Sequence, residues 1–130
     1  MATTPPPISE AYDGPSLIIA YSHCTQHGYT MKYGLKQQDL AVKSGVWPLY
    51  RYNPELANQG QNPLSIDSKE PTVAVDEYAY NETRYRMLLQ SNEERAEMLM
   101  AKAKHDASSR WNLYQQMAEM HYGQDGPKEE

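Results

Sequence analysis

The longest apolar run in this 130-residue chain is only five residues, Leu17-Ile18-Ile19-Ala20-Tyr21. It is rich in β-branched side chains, follows Gly14-Pro15 and precedes Gly28, so it reads as a short buried strand rather than a helix. A strand apolar on both faces belongs inside a parallel sheet covered on both sides. One such strand cannot make a sheet, so its neighbours are expected from sequence upstream. The remaining composition reinforces this. The chain has no phenylalanine, its aromatics are mostly tyrosine, and its mean hydropathy of −0.84 is strongly polar. At this length one domain is expected. Weak independent stability is expected with it.

Periodicity and turn chemistry place the other elements. Residues 1–9, with Thr3-Thr4-Pro5-Pro6-Pro7, read as a disordered or extended lead-in. Met31, Gly34, Leu35, Gln38, Ala41 and Val42 recur at helical spacing, predicting a crossover helix over 30–44 closed by Gly45. Val46 to Tyr52 suits a second strand, which Pro48 confines to an edge or a strand start. Strand, helix, strand forms a βαβ unit of a parallel sheet with a right-handed crossover. From Asn53 to Glu77 the chain is rich in Pro, Asn, Gly, Gln and Ser and reads as an extended connection, with a short strand at Leu64 to Ile66.

Two helices are expected next. Asn81 caps one over 82–90, and Ser91 with Glu94 forms a capping box for another reaching about His121. Ala96, Met100, Ala103, Ala107, Trp111, Tyr114 and Ala118 share one face of the second, a docking stripe. Residues 123–130 read as a frayed tail.

Chemistry-bearing residues are few. The single cysteine, Cys24, stands just past the carboxyl end of the first strand, where ligands gather in open α/β sheets. Taken alone it is either a small core hydrophobe or a site residue. Cys24-x-x-His27 does not make a zinc site, because a closed site needs four ligands and His23, His27 and one thiol supply too few. No cluster of Lys or Arg argues for a reactive thiolate. Arg84, Arg86 and Arg95 suit either an anion such as the phosphates of coenzyme A or solvated ion pairs with nearby glutamates. His105 and His121 are expected to face solvent.

Ordered blocks along the chain carry a resemblance. Gly14 to Cys24 with His27-Gly28, then Gly34 to Gln38, Ala41 to Gly45, Trp47 to Pro54, Asn62-Pro63-Leu64 with Asp67-Ser68, and Tyr80 to Leu88 resemble pyruvate:ferredoxin (flavodoxin) oxidoreductases. The likeness runs from about Glu10 to about Met120, and to the last part of that family's thiamine-diphosphate domain. It implies an α/β fold class. Residues 10–79 would be the carboxyl-terminal part of the thiamine domain, and 80–122 a helical segment.

The resemblance implies that Cys24 is the fourth thiolate of the 4Fe-4S cluster nearest the thiamine cofactor, such clusters normally being held by four cysteines. The other three cysteines and the phosphate- and magnesium-binding motif are absent, and Thr25 and Gln26 stand where Ile and Ala are common. For the complete enzyme it implies oxidative decarboxylation of a 2-oxo acid with thiamine diphosphate and magnesium. Coenzyme A takes the acyl group, and electrons leave through 4Fe-4S clusters to ferredoxin or flavodoxin. A homodimer is implied, with the remainder of the oxidoreductase as this chain's partner. The chain alone would be inactive. A non-catalytic remnant or interaction module, or one subunit of a split 2-oxo acid oxidoreductase, accounts equally for the missing motifs.

The net charge of −5 with no basic stripe excludes an electrostatic footprint for nucleic acid. No run is long enough to cross a membrane as a helix, and no charged-then-apolar signal pattern opens the chain. A cytoplasmic location is the resulting expectation, in keeping with a lone cysteine that can form no intramolecular disulfide.

Overall fold

A computed structural model describes residues 12–123. The expected lead-in over 1–9 and all of the tail but Gly123 lie outside the described residues. Residues 15–24 carry no helix or strand, and two 3₁₀ turns, Thr25–His27 and Met31–Tyr33, lead into helix α1 (Gly34–Lys43). The expected helix is therefore present, its first turn wound as 3₁₀, but it connects no parallel strands and is not a crossover. Gly34, Gln37, Leu40 and Ala41 form its buried face, the three-and-four spacing of an amphipathic helix.

The end of α1 is fully accounted for. Its last four carbonyls accept from Ser44 (Leu40 O, 2.9 Å), Trp47 (Ala41 O, 3.0 Å), Gly45 (Val42 O, 3.1 Å) and Thr72 (Lys43 O, 2.9 Å). These are the groups a helix terminus orphans. Gly45 turns the chain with φ +74°, the left-handed cap that glycine permits.

Two expectations are corrected here. Leu17 to Tyr21 is neither a strand nor buried: Leu17 is 83%, Ile18 76% and Ile19 63% exposed, and residues 17–20 join no ladder among the described residues. Nor do the two predicted strands form a parallel unit. Strand β1 (Tyr50–Tyr52) pairs instead with β2 (Leu64–Ile66), antiparallel, with Tyr50 opposite Ile66 and Tyr52 opposite Leu64. The reason is connectivity. An antiparallel partner arrives by a local loop, here closed by Asn53 N–H donating to Pro63 O at 2.9 Å, whereas a parallel ladder needs neighbours from elsewhere.

The connection over 53–77 is more structured than its composition suggests. It holds α2 (Glu55–Asn58), β2 and α3 (Val75–Ala79). Helices α4 (Thr83–Ser91) and α5 (Glu93–Ala118) follow. Their caps differ from expectation by one residue each. Glu82 holds the N-cap position of α4, while the Asn81 amide donates back to Glu77 O at 2.8 Å. Asn92, not Ser91, caps α5, its Oδ1 accepting from Arg95 N–H at 3.0 Å.

Ala96, Ala107 and Trp111 on the predicted stripe are buried, Met100, Tyr114 and Ala118 half-buried, and Ala103 exposed. The far end of α5 is capped from β2's side. Asn62 Nδ2 donates to the carbonyls of Met117 and Ala118, each at 2.8 Å, and of Met120 at 3.0 Å. Lys104 on α5 pairs with Asp76 on α3 at 2.9 Å, and this partner holds the Asp76 carboxyl below its usual range.

The core is small. Leu40 and Ala41 of α1 meet Tyr78 and Ala79 of α3, with Tyr21, Val46, Trp47, Val73 and Met100 packed around them.

Candidate functional site: the Cys24 turn

Tyr21 anchors the approach to Cys24. Its ring lies 5.3 Å from that of Trp47, its hydroxyl 2.8 Å from the Tyr78 hydroxyl, and its carbonyl accepts from Gln38 Nε2 at 3.2 Å. Cys24 itself is extended (φ −119°, ψ 127°) and its carbonyl accepts from His27 N–H at 3.1 Å, winding the chain into the 3₁₀ turn. The turn closes at Gly28, φ +71°. There the Gly28 carbonyl accepts twice from Thr83, from N–H at 2.9 Å and Oγ1 at 2.7 Å. A Cβ on Gly28 would sit 2.8 Å from Thr83 Cβ, so only glycine lets the turn approach the start of α4 this closely.

Beneath the turn lies a buried carboxylate. Glu82 has no exposed surface. Its Oε1 accepts from Gln37 Nε2 at 3.0 Å and its Oε2 from His27 Nδ1 at 2.5 Å, and Gln37 also donates to Tyr78 O at 3.0 Å. A buried charge persists only when it is hydrogen-bonded in this way. The turn, α1, α3 and the start of α4 are thus tied through one side chain. Desolvation, the Tyr21 hydrogen bond and the Glu82 charge push the Tyr78 phenol well above its usual range. Tyr85, whose ring stands edge-on to His27, is pushed up by burial and then by Glu82.

His23 packs on the other side of Cys24. Its ring meets Gly34 so closely that a Cβ there would lie 2.7 Å from Nε2, and it stands edge-on to Tyr29 at 5.5 Å. Burial, then the neighbouring Cys24 and Glu82 charges, raise the Tyr29 phenol. Two polar atoms here, His23 Nδ1 and the Tyr29 hydroxyl, are buried without a hydrogen-bond partner. Orphans of that kind are rare in folded chains and call for an explanation.

Of the residues singled out by sequence, Cys24, His23 and His27 come together at this turn, with the Cys24 thiol free and exposed. His27 is more than a solvated loop residue, since Glu82 holds it. No group of three or more His, Cys, Asp or Glu side chains able to hold a metal occurs among the described residues. This donor set fits one thiolate of a shared site and no more.

Arg84 and Arg95 are exposed. Arg86 donates to Tyr80 O and Thr83 Oγ1, each at 3.0 Å, and so braces the start of α4. His105 and His121 are exposed as expected. Glu82, Gln37 and Thr83 escaped sequence reasoning. Nothing local distinguishes Glu82 from an ordinary first-turn glutamate, and only the fold buries it.

No family model matches the chain. Individual relatives do. It is 49% identical over 110 residues to a pyruvate-flavodoxin oxidoreductase of Nostoc sp., covering 85% of this chain and 9% of that protein. It is 48% identical over 111 residues to the pyruvate:ferredoxin oxidoreductase of Moorella thermoacetica, covering 85% and 10%. A pyruvate-flavodoxin oxidoreductase of Rhodospirillum rubrum is 44% identical over 123 residues, covering 93% and 10%. The chain spans about a tenth of the length of the curated relatives it matches.

Proposed function

We infer that this chain, a homologue of one short stretch of pyruvate-flavodoxin and pyruvate:ferredoxin oxidoreductases, serves as the carboxyl-terminal segment of the thiamine-diphosphate domain of such an enzyme. Residues 10–79 supply the α/β part of that domain and 80–122 the helices that follow. The complete enzyme oxidatively decarboxylates pyruvate to acetyl-CoA and passes electrons to ferredoxin or flavodoxin as a homodimer. It uses thiamine diphosphate with magnesium, coenzyme A and 4Fe-4S clusters, and this chain alone is inactive. No acid, base or nucleophile for that reaction is assigned to these residues.

Cys24 is the contribution of this segment, one of four thiolates holding the cluster nearest the thiamine. The observation that carries this reading is the setting of the thiol. It is exposed on a turn pinned by Gly28, Thr83 and Glu82, and the nearby residues His23 and Tyr29, whose rings meet edge-on, each carry a buried polar atom without a hydrogen-bond partner. A 4Fe-4S cluster accepts and passes single electrons at a potential set partly by hydrogen bonds to its sulfurs. The chain's own work is to fix one ligand and to keep polar groups next to it. Rigidity matters because a ligand held in place needs no reorganisation as charge changes.

The test is Cys24→Ser in the complete enzyme, read by iron content and the electron paramagnetic resonance of each cluster. One cluster's signal should disappear. Unchanged iron and unchanged spectra would defeat the assignment. Translating the transcript upstream of Met1 checks the same reading independently. The frame, or a companion gene, should hold a C-x-x-C pair, a third cysteine and a thiamine-diphosphate motif.

A further inference from the structure

We propose that the cleft between α1 and the start of α4 binds the phosphate group of a small molecule between Lys36 and Arg86. The site stands on the cleft's own charges and goes beyond the proposed function. Only the coenzyme A arm of its test rests on that reading.

The chain has a net charge of −5, yet cations collect here without acids. The cleft, of about 500 Å³, is walled by the loop after Gly28 with Thr30, by Tyr33 and Lys36 at the start of α1, and by Asn81, Thr83 and Arg86. No Asp or Glu is among its lining residues. Lys32 adds a third positive charge nearby, its Nζ 4.8 Å from the centre of the Tyr33 ring. None of Lys32, Lys36 and Arg86 is in an ion pair among the described residues. Nor do the two lysines serve the helix. They stand at the amino-terminal end of α1, whose first turn holds no acidic residue and whose dipole disfavours cations.

Arg86 is oriented but not neutralised. Its Nη1 donates to Tyr80 O and its Nη2 to Thr83 Oγ1, each at 3.0 Å, and both acceptors are uncharged. The remaining N–H groups of the guanidinium fork stay available to a ligand. Glu82, between Asn81 and Thr83, does not supply the missing charge. It has no exposed surface, and Gln37 and His27 occupy its two oxygens.

A phosphate is the anion these groups fit. Lysine and arginine bond phosphate oxygens through charge-assisted hydrogen bonds, and Lys36 with Arg86 matches a phosphate monoester charge of about −2. The Thr30 hydroxyl is a further donor in the lining, and the Tyr29 hydroxyl in the same wall is a buried donor without an acceptor. A lone carboxylate brings half that charge and fewer oxygens. The cleft is also larger than one phosphate group, so part of the molecule that carries it fits alongside.

Inorganic phosphate is the probe, titrated into the full 130-residue chain at constant ionic strength and followed by amide chemical shifts in nuclear magnetic resonance. Saturable shifts at Thr30, Lys36, Thr83 and Arg86 are expected, with a Kd of about 1 mM or tighter. Lys36→Gln removes an exposed side chain that has no partner, so the fold should persist while binding weakens about tenfold or more. Arg95→Gln removes an exposed arginine outside the cleft and should change nothing.

Absence of saturation by about 10 mM phosphate would overturn the proposal. So would equal weakening by Arg95→Gln, which would mean diffuse attraction to any cation. If the isolated chain does not fold, both variants are made in the complete enzyme and read by dialysis of radiolabelled phosphate. Uptake that depends on Lys36 supports the site, and uptake that ignores it refutes it. Saturating coenzyme A in the complete enzyme then separates two sources of the group. Phosphate uptake that persists assigns the cleft to a free phosphate compound, and uptake that is displaced assigns it to the phosphates of the co-substrate. The Cys24→Ser iron measurement is independent. Lost iron without phosphate binding leaves the cluster reading standing and this one refuted, and the converse holds too.

Discussion

Residues 17–19 and the Cys24 turn lie a few positions apart and invert the ordinary rule of inside and outside. At the turn, a glutamate with no exposed surface is satisfied by Gln37 and His27. Just upstream, three consecutive aliphatic side chains stand 63% to 83% exposed. Full burial of such side chains is worth about 1.5–3 kcal/mol each, so the run leaves several kcal/mol of hydrophobic stabilisation unrealised in this chain. The turn has nothing comparable outstanding. Its hydrogen bonds close within the described residues, apart from the two orphans that flank Cys24. The polar region is therefore self-contained, and the apolar one is left uncovered within the described residues. A cluster ligand needs the first property, and a segment joined to a larger sheet shows the second.

Breaking the self-contained half should have the largest effect. Glu82→Ala removes the shared acceptor, leaving the buried Gln37 amide with Tyr78 O alone and the half-buried His27 without its carboxylate. Leaving a buried hydrogen-bonding group under-satisfied costs about 1–3 kcal/mol. Urea unfolding of the full chain should show that loss, and Glu82→Gln should recover part of it by keeping one acceptor. A Glu82→Ala variant as stable as the parent would mean that the turn is not held from below.

Gly28→Ala tests the same half at its other pin. The added Cβ meets Thr83 Cβ at 2.8 Å, and φ is +71°. The left-handed backbone alone costs a non-glycine residue about 1–2 kcal/mol. A loss of that size or greater is expected in the unfolding midpoint, with the Gly28 to Thr83 hydrogen bonds weakened. A neutral effect would imply that the turn and α4 separate freely.

Much of the frame was legible because it depends on local chemistry. The helical spacing of Met31, Gly34, Leu35, Gln38, Ala41 and Val42 and the glycine at position 45 mark α1 and its end without reference to the rest of the chain, but of those six only Gly34 and Ala41 lie on the buried face, which Gln37 and Leu40 complete. Leu64 to Ile66 was legible as a strand between turn residues.

What the sequence could not reveal depends on partners far away along the chain. The β-branched run at 17–19 signals a strand but not whether its neighbours are present, and so its burial was overestimated. Tyr50 to Tyr52 reads as a strand either way, and only the loop closed at Pro63 selects an antiparallel neighbour. The caps slipped by one residue because Asn81, Ser91 and Asn92 are all competent, and geometry chooses among them. The break in the chain after Tyr21 was legible as a turn closed by Gly28, but Glu82, which holds that turn through His27, was not, because burial of a glutamate leaves no local mark.

The smallest expected effect is the most informative about the uncovered half. Ile18→Asp places a charge in the middle of the apolar run, a change that in any packed strand would be among the most damaging. Here Ile18 is 76% exposed and its backbone is in no ladder, so nothing in the chain is desolvated or displaced. Unfolding of the full chain should shift by no more than about 0.5 kcal/mol, the range of ordinary surface substitutions. In the complete enzyme the same change should weaken hydrogen-exchange protection of residues 17–20, because it sets a carboxylate in the middle of an apolar run. A large loss in the chain alone would place Ile18 in an internal core and erase the contrast between the two regions. Silence in both settings would leave the run exposed everywhere, and the turn would then be the only part of this segment that the larger enzyme uses.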